Sequence, residues 1–359
     1  MPNSIDDLND LLSPTMLGKI AIANRVVMAP MTRSRADSND CPTQLHIDYY
    51  SQRASAGLII TEGTQPSKTG KGYCRTPGIY NTDQISAWAK VTESVHAKGG
   101  KIALQIMHCG RVGGAANKAI DADTVAPSAI ACEDEIFTEH GMQPMVTPRA
   151  LDLAEIPSVI AEYKQATINA FAASFDGVEL HCTSGYLPAQ FLSTGTNKRD
   201  DNYGGSLENR LRFVLEVLQA MNSVDGAGRV GVRICPGNPF NGLQDDNPGE
   251  TFAALLKTIS NYGQAYVHVI RMPKGPVDNL ALVKNNYEGA VIVNDSYTAR
   301  EADDTIQSNE ANAVSFGRDF IANPDLVYRL KNNIALTRFD MKTLYTLGAN
   351  GFSDYPNAS

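Results

Sequence analysis

The chain has 359 residues, of which 43% are hydrophobic and 19% charged, and it carries a formal net charge of -8 at pH 7. This composition is ordinary for a globular protein with a large core. The negative charge argues against nucleic acid and anionic membranes as partners, because their phosphate groups would be repelled at long range. The sequence holds no apolar run of about 18 residues, so no membrane-spanning helix is expected.

The N-terminus and the cysteines bear on the cellular compartment. The segment MPNSIDDLNDLL is acidic, whereas a signal peptide is basic and then apolar, so we expect a cytoplasmic protein. Six cysteines are dispersed without any C-x-x-C pair, which indicates neither a disulfide framework nor a metal site of the zinc type. The sequence predicts no particular oligomeric state.

Short apolar runs along the whole chain predict buried β-strands. They lie at residues 25–30, 57–63, 101–108, 177–182, 229–235, 265–270, 289–295 and 313–318. Helix-like runs separate most of them, as at 83–100, where Ile85, Trp88, Val91 and Val95 recur at three- and four-residue spacing. Strands too apolar to have a solvated face, alternating with helices, predict a closed parallel barrel, the α/β fold known as the (β/α)8 or TIM barrel.

Two segments fall outside this alternation: about 45 residues after His108, and the tail after Leu330. The first is too long for a bare loop in a compact barrel, so residues 109–154 are predicted to form a capping subdomain after the third strand. The last helix is expected to begin near Asn323, because a proline follows it and suits a first turn. No repeat or linker marks a boundary, so residues 1–359 are expected to form one domain.

The fourth strand and the residues after it are predicted to carry the chemistry, because active groups of such a barrel gather at the carboxyl ends of its strands. The stretch 177–192, GVELHCTSGYLPAQFL, places His181, Ser184 and Tyr186 there. An imidazole, a hydroxyl and a phenol supply hydrogen-bond donors and a weak acid, which suits reactions at a polarised carbonyl. A purely structural histidine is the alternative interpretation.

Two arginines at strand ends indicate an anionic ligand. Gly317 and Arg318 end the eighth strand, where backbone N–H groups and a guanidinium commonly hold a phosphate. Pairing of Arg318 with a carboxylate is an equal alternative. Arg233, at the end of the fifth strand, needs a counterion, which is either Glu179 or a cofactor ring that carries negative charge.

Several long motifs follow one another in an order that matches a known family. They are MAPMTRSRA at 28–36, YYSQRASAGLIITEGTQ at 49–65, LQIMHCGR at 104–111, GVELH at 177–181, GYLPAQFLS at 185–193, NKRDDNYGGSLENRLRF at 197–213 and FGRDFIANPDLVYRL at 316–330. From about Leu11 to Pro356 the chain resembles the old yellow enzyme family. The resemblance implies an ene-reductase with FMN as cofactor and NADPH or NADH as reductant. Its substrate would be a small alkene activated by a carbonyl or nitro group.

The resemblance also implies roles for single residues. The expected cofactor-binding residues are Pro30, Met31, Thr32, Gly63, Gln105, Arg233, Asp295, Gly317 and Arg318. Of these, Thr32 would lie near a flavin carbonyl, Gln105 would bond the pyrimidine edge, Arg233 would stabilise the reduced ring and Arg318 would hold the phosphate. The expected substrate-binding residues are Tyr73, Met107 and Phe352.

For the reaction, the resemblance implies that His181 donates to the substrate oxygen while hydride passes from flavin N5 to the β-carbon. Tyr186 would then protonate the α-carbon. The same groups would also serve isomerisation or desaturation of an enone. Ser184 stands where the family has a second strong donor, Asn or His, and losing such a donor costs about 3 kcal/mol. Either weaker binding of phenols and enones or a different substrate whose polar group lies deeper is therefore expected.

A second departure lies at Asp295 and Ser296, where the family has a small glycine-containing turn near the phosphate. A carboxylate within ~5 Å of a phosphate would oppose its binding, and a Cβ at a position that needs φ > 0 adds strain. Together with Ser184, this departure keeps open a catalytically impaired flavin-binding protein.

Overall fold

The computed structural model describes residues 8–225 and 227–358. Residues 1–7, which begin the acidic N-terminal segment, lie outside the described residues. Positions 226 and 359 of the domain predicted over 1–359 also lie outside them. In chain order the strands are β1 (Thr15–Leu17), β2 (Ile20–Ile22), β3 (Val26–Met28), β4 (Leu58–Ile60), β5 (Ile102–Ile106), β6 (Val125–Ala126), β7 (Glu135–Thr138), β8 (Gly141–Pro144), β9 (Arg149–Ala150), β10 (Gly177–Cys182), β11 (Val230–Ile234), β12 (Tyr266–Ile270), β13 (Val291–Asn294) and β14 (Ala313–Phe316).

The helices lie mostly between the longer strands. They are α1 (Gln44–Gln52), α2 (Thr82–His96), α3 (Ile156–Ala172), α4 (Leu187–Leu192), α5 (Leu207–Asn222), α6 (Pro248–Ile259), α7 (Asn279–Asn286), α8 (Ala299–Gln307), α9 (Arg318–Ala322) and α10 (Leu326–Lys331), with short 3-10 helices at Ala115–Asn117, Phe240–Gly242, Ser260–Tyr262 and Met341–Thr343. Among the described residues, none of these helices has the length and apolar character needed to cross a membrane.

Eight strands close into one parallel barrel in the order β3, β4, β5, β10, β11, β12, β13, β14, and β14 pairs back with β3. Each lies inside a run predicted from the sequence, so the predicted (β/α)8 barrel is confirmed. Every residue of β5, β10 and β11 is buried. Burial on both faces explains why these runs are mostly apolar instead of alternating, because one face packs inside the barrel and the other under helices.

The helices cover the barrel through apolar faces that begin at polar caps. Helix α2 starts where the Asn81 side chain accepts a hydrogen bond from the Gln84 backbone at 2.9 Å, which satisfies one free N–H of the first turn. Its buried face carries Trp88, Val91 and Val95, which lie in the main core cluster between strands and helices. The three- and four-residue spacing seen in the sequence is therefore the inward face of the helix.

The segment predicted as a cap has structure of its own. Strands β7 and β8 form an antiparallel hairpin, and β6 pairs in parallel with β9. The predicted capping subdomain after the third barrel strand is thus confirmed. Ile136 of the hairpin is buried with Met107 and Tyr186, and this contact joins the cap to the carboxyl ends of the barrel strands.

The last helix begins slightly later than predicted. The start expected near Asn323 lies three residues before α10, which begins at Leu326, and the short helix α9, which begins at Arg318 directly after Gly317, was not predicted. Asn323 instead lies between α9 and α10, where its Nδ2 donates to the Thr337 carbonyl at 3.0 Å and its Oδ1 accepts from the Thr337 amide at 2.8 Å. The side chain that was expected to start a helix holds the C-terminal tail.

Two arginines in the segment after β3 also hold the tail. Arg33 Nη2 donates to the Gly351 carbonyl at 2.6 Å, and Arg35 Nη2 donates to the Thr343 carbonyl at 2.9 Å. Phe352 stacks on Tyr49 at 4.1 Å and is fully buried in the core. Phe352 was predicted to line the substrate cavity, but this packing under two guanidiniums removes it from the cavities described below.

Candidate active site

Polar side chains at the carboxyl ends of the strands meet because the parallel register places them side by side. Gln105 of β5 pairs in register with Glu179 of β10. His181 of β10 lies beside Arg233 of β11, which lies beside His268 of β12. Asn294 of β13 and Ser315 of β14 complete the set. These side chains form one buried polar cluster at the mouth of the barrel.

Glu179 is the anion of this cluster and is fully buried. Its Oε1 accepts from Gln105 Nε2 at 2.8 Å, and its Oε2 accepts from His268 Nδ1 at 2.8 Å. Burial and then the charge of Arg233 lower the pKa of His268 to about 4, so the ring is neutral at pH 7. With its proton on Nδ1, the ring accepts from the Ser315 hydroxyl through Nε2 at 2.8 Å.

Arg233 is the buried cation of the cluster, with 7% of its surface exposed. Its Nη2 donates to Asn294 Oδ1 at 2.7 Å, and its Nη1 lies 3.2 Å from His268 Nε2. Among the described residues no carboxylate lies within ion-pair distance of it, because Glu179 is bound by Gln105 and His268 instead. A buried guanidinium without a contacting anion suits a ligand that carries negative charge.

His181 and Tyr186 stand together at the end of β10. Their rings make an edge-to-face contact at 4.7 Å between centroids. Nδ1 of His181 is buried and has no hydrogen-bond partner in the described chain. Burial, with smaller contributions from Arg233 and His268, lowers the pKa of His181 well below its usual value, so the imidazole is neutral and can donate one N–H to a ligand.

The Tyr186 phenol is protonated and has a hydroxyl partner. It donates to the Tyr73 hydroxyl at 3.1 Å. Burial is the main reason that the pKa of Tyr186 is raised well above its usual value, and the bond to Tyr73 adds to this. Burial likewise raises the pKa of Tyr73. Both phenols therefore retain their protons at neutral pH.

Ser184 adopts a left-handed backbone conformation with φ of 56°. Its carbonyl accepts from Asn241 Nδ2 at 2.7 Å, which fixes the loop after β10. Asparagine tolerates this region of φ better than serine does. The backbone at this position therefore suits the residue that the old yellow enzyme resemblance leads one to expect.

Gly63 and Met107, predicted to contact cofactor and substrate, pack against each other. A Cβ added at Gly63 would lie 2.4 Å from Met107 Sδ, so only glycine leaves room for that side chain. Met107 is buried in a small cluster with Tyr186, Cys109 and Val112.

A cavity of about 750 Å³ opens beside Arg233, and we name it the first cavity. Six of the nine predicted cofactor-binding residues line it: Pro30, Met31, Arg233, Asp295, Gly317 and Arg318. Of the other three, Gln105 is buried below the mouth on Glu179, Gly63 is buried against Met107, and Thr32 follows Met31 half-buried. The size and the arginines of this cavity suit a flavin nucleotide.

The turn after β13 shows the departure expected from the sequence. Asp295 and Ser296 have φ of 86° and 57°, so the predicted positive φ is confirmed. Arg271 braces the turn, since its Nε and Nη2 donate to the Asp295 and Ser296 carbonyls, each at 2.6 Å. The Asp295 carboxylate lies 3.6 Å from Arg318 Nη2, so both interpretations of Arg318 apply: it lines the cavity and it has a carboxylate partner.

A second cavity of about 730 Å³ lies between the cap, the loop after β11 and the C-terminal tail. Tyr73 lines it, and Met341 lines both this cavity and the first one. Half of the exposed large apolar side chains in the described chain surround it: Phe137, Met142, Phe240, Met341, Tyr345 and Leu347. Tyr73, whose hydroxyl accepts from Tyr186, therefore lies at the wall of a largely apolar cavity, while Tyr186 and His181 do not line it.

Sequence reasoning missed several residues of this site. His268 of the adjacent strand β12 and Asn294 of β13, one strand further on, contact Arg233. The strand-end position of Asn294 was the one signal that pointed to it. Most of residues 336–347 line one cavity or the other, yet they have no helical or strand periodicity. The one cue in that tail was its content of Leu, Phe, Met and Tyr.

Comparisons with known proteins agree on one group. The sequence profile of the NADH:flavin oxidoreductase / NADH oxidase family matches residues 10–337. The chain is 41% identical over 355 residues to a probable flavin mononucleotide-dependent alkene reductase of Leishmania infantum, covering 96% of this chain and 97% of that protein.

Solved structures give the same result. The structure of morphinone reductase in complex with tetrahydroNAD superposes with a TM-score of 0.93 at 43% identity, covering 97% of this chain and 98% of that one. The old yellow enzyme from Trypanosoma cruzi superposes with a TM-score of 0.94 at 35% identity, covering 98% of this chain and 99% of that one.

The buried histidines predict that stability falls on mild acidification. The pKa of His108 is lowered to about 3, that of His268 is lowered to about 4, and the pKa of His181 is also lowered. A histidine of the unfolded chain titrates near 6.5. Below pH 6.5 the unfolded chain binds protons that the folded chain does not. Each histidine should therefore lower the free energy of unfolding by on the order of 1 kcal/mol per pH unit down to its folded pKa.

Urea denaturation at fixed FMN concentration between pH 7 and 5 measures this slope. His181→Asn should make the slope shallower. His140→Asn, at an exposed position, should leave it unchanged. A free energy of unfolding that stays constant over this interval would contradict neutral histidines in the folded protein.

Proposed function

This chain belongs to the NADH:flavin oxidoreductase / NADH oxidase family, which confirms the resemblance to old yellow enzymes, and on that basis we propose that it reduces activated alkenes at the mouth of the barrel. The proposed substrates carry a carbonyl or nitro group conjugated to the double bond. NADPH or NADH reduces the enzyme first. The cytoplasmic location and the single domain over 1–359 stay predictions.

The residues around the first cavity fit FMN. Arg233 has no contacting carboxylate among the described residues, and Pro30 and Met31 supply an apolar wall. Gly317 and Arg318 follow β14 at the corner where a phosphate can bind. When bound, FMN supplies the hydride that reduces the β-carbon of the alkene. Arg233 offsets the negative charge of the reduced ring, and Asn294 and His268 hold its guanidinium in place.

His181 polarises the substrate in this proposal. As a neutral imidazole, it donates to the substrate oxygen and draws electron density from the double bond. A charged imidazolium beside Arg233 would be opposed by repulsion and by burial, so the neutral form is the one that acts.

Tyr186 delivers the proton to the α-carbon. Burial keeps its phenol protonated, and the edge-to-face contact with His181 holds the ring beside the group that polarises the substrate. After the transfer, the Tyr73 hydroxyl can return a proton to Tyr186, since it is hydrogen-bonded to Tyr186 and lines the second cavity.

The second cavity admits the substrate. Its apolar lining favours alkenes with apolar substituents over strongly charged ones. The observation that carries the whole proposal is the neutral, unpartnered His181 in ring contact with a protonated Tyr186, next in register to Arg233.

Tyr186→Phe should separate the two half-reactions. Reduction of the enzyme by NADPH needs no proton from Tyr186, so its rate should stay within about threefold. Reoxidation by cyclohexenone or maleimide should slow by roughly 100-fold or more, because a positioned general acid contributes about that much. Anaerobic stopped-flow absorbance measures both rates.

Tyr73→Phe is the matched variant, because it keeps both rings and removes only the hydroxyl that accepts from Tyr186. Its effect on the alkene step should be smaller than that of Tyr186→Phe. Equal slowing of both half-reactions in Tyr186→Phe would contradict the role of Tyr186 as proton donor.

Ser184→Asn should tighten the binding of phenols and enones. The longer amide adds a second donor to the ligand oxygen, a gain of up to ~3 kcal/mol or roughly 100-fold, and asparagine suits the φ of 56° found here. Titration of the flavin absorption with a phenol measures the affinity. Ser184→Ala is the control and should bind phenols as the natural protein does, whereas unchanged binding in Ser184→Asn would show that no donor is missing.

A further inference from the structure

We propose that Arg338, in the C-terminal tail, binds the phosphate of the cofactor and offsets the carboxylate that Asp295 brings into the cofactor cavity. The inference rests on the proposed function only in placing FMN in the first cavity. No role follows for Arg338 from the motifs that carry the family resemblance, because they end before the tail segment that contains it.

The charges that line the first cavity show why a further cation is needed. Arg233, Arg318 and Arg338 face two carboxylates there, Asp295 and Asp319. Arg233 is held inside the barrel by Asn294 and His268, and Arg318 has Asp295 as its ion-pair partner. Without Arg338, the positive and negative charges of the lining would cancel, and a phosphate dianion would gain little from entering.

Arg338 is free to take an anion. Within residues 8–225 and 227–358, its guanidinium makes no hydrogen bond or ion pair, and its side chain is exposed while it lines the cavity. Binding a phosphate would therefore break no existing bond of this guanidinium. A guanidinium can also donate two parallel N–H groups to phosphate oxygens.

The backbone beside Arg338 is anchored, so the side chain is presented at a defined place. Thr337 is held from both sides by Asn323, through its carbonyl at 3.0 Å and its amide at 2.8 Å. Three residues further on, the Asp340 side chain caps the 3-10 helix Met341–Thr343 by accepting from the Lys342 amide at 2.9 Å. Asn323 follows α9, the helix that begins with Arg318, and thus ties both arginines to one corner of the barrel.

The turn after β13 explains why a further positive charge is needed to offset the Asp295 carboxylate. Asp295 and Ser296 occupy left-handed conformations with a side chain at each, and Asp295 directs its carboxylate toward Arg318. The carboxylate thereby weakens the phosphate site that Gly317 and Arg318 would otherwise form alone. Arg338 approaches the same cavity from the tail, where it has no such partner.

Release of FMN from the purified holoenzyme tests the inference, followed by the rise of free-flavin fluorescence on dilution. Arg338→Gln should weaken FMN binding roughly 10- to 100-fold, which is the contribution typical of a charge-assisted hydrogen bond. After exchange of the cofactor for riboflavin, which has no phosphate, the same variant should bind as tightly as the natural chain. Arg338→Lys should restore part of the FMN affinity.

Two further variants make the test specific. Lys342→Gln removes an exposed cation of the same tail that lines the second cavity, and it should leave FMN binding unchanged. Asp295→Asn removes the carboxylate but keeps a side chain at the same φ. It should tighten FMN binding and leave riboflavin binding as it was.

Three outcomes would overturn the inference. Unchanged FMN release in Arg338→Gln removes the role outright, and equal weakening of FMN and riboflavin assigns Arg338 to the packing of the tail. A higher KM for NADPH but not for NADH, with normal FMN release, assigns Arg338 to the 2′-phosphate of the nucleotide. A chain that binds FMN as predicted yet reduces no alkene would overturn the proposed reaction and leave the role of Arg338 standing.

Discussion

The buried charge of Arg233 is the constraint on which the site depends. A guanidinium enclosed at the mouth of the barrel is costly unless its N–H groups and its charge are both satisfied. Asn294 and the ring of His268 each contact one nitrogen of the guanidinium. Glu179 contacts the far side of His268, so its negative charge lies nearby without touching Arg233. The guanidinium is thus held in place but is not neutralised by contact, which is the condition needed to stabilise a ring that becomes negative on reduction.

The same charge governs the residues that face the substrate. Burial and then Arg233 lower the pKa of His181, so that in the proposed reaction the neutral ring can donate a hydrogen bond without competing with Arg233 for the anion. Tyr186 is kept protonated by burial and by Tyr73. The rigid barrel positions these groups, while the cap and the tail shape the two cavities around them. The departures from the family pattern at Ser184 and Asp295 follow the ends of β10 and β13, so they leave the arrangement of the barrel intact, and in the proposal each changes the strength of binding.

The fold could be predicted from the sequence because its signals are local. Each barrel strand is a short apolar run, and once the barrel is assumed, the strand ends indicate where His181, Tyr186 and Arg233 meet. Contacts between distant segments could not be predicted in this way. Pairing of Arg233 with Asn294 depends on strand register, and the burial of Phe352 under Arg33 and Arg35 depends on the path of an irregular tail. The role of Asn323 was equally unpredictable, because its side chain binds Thr337 in a segment with no periodic pattern.

The central claim is that the barrel mouth holds FMN against Arg233 and passes its hydride to an alkene bound beside His181 and Tyr186. Anaerobic absorbance of the purified protein, first with NADPH and then with cyclohexenone, tests this claim most directly. The account predicts a visible flavin band that NADPH bleaches and cyclohexenone restores. A colourless preparation that takes up no added FMN, or a reduced flavin that persists with cyclohexenone and equally with maleimide, would contradict it.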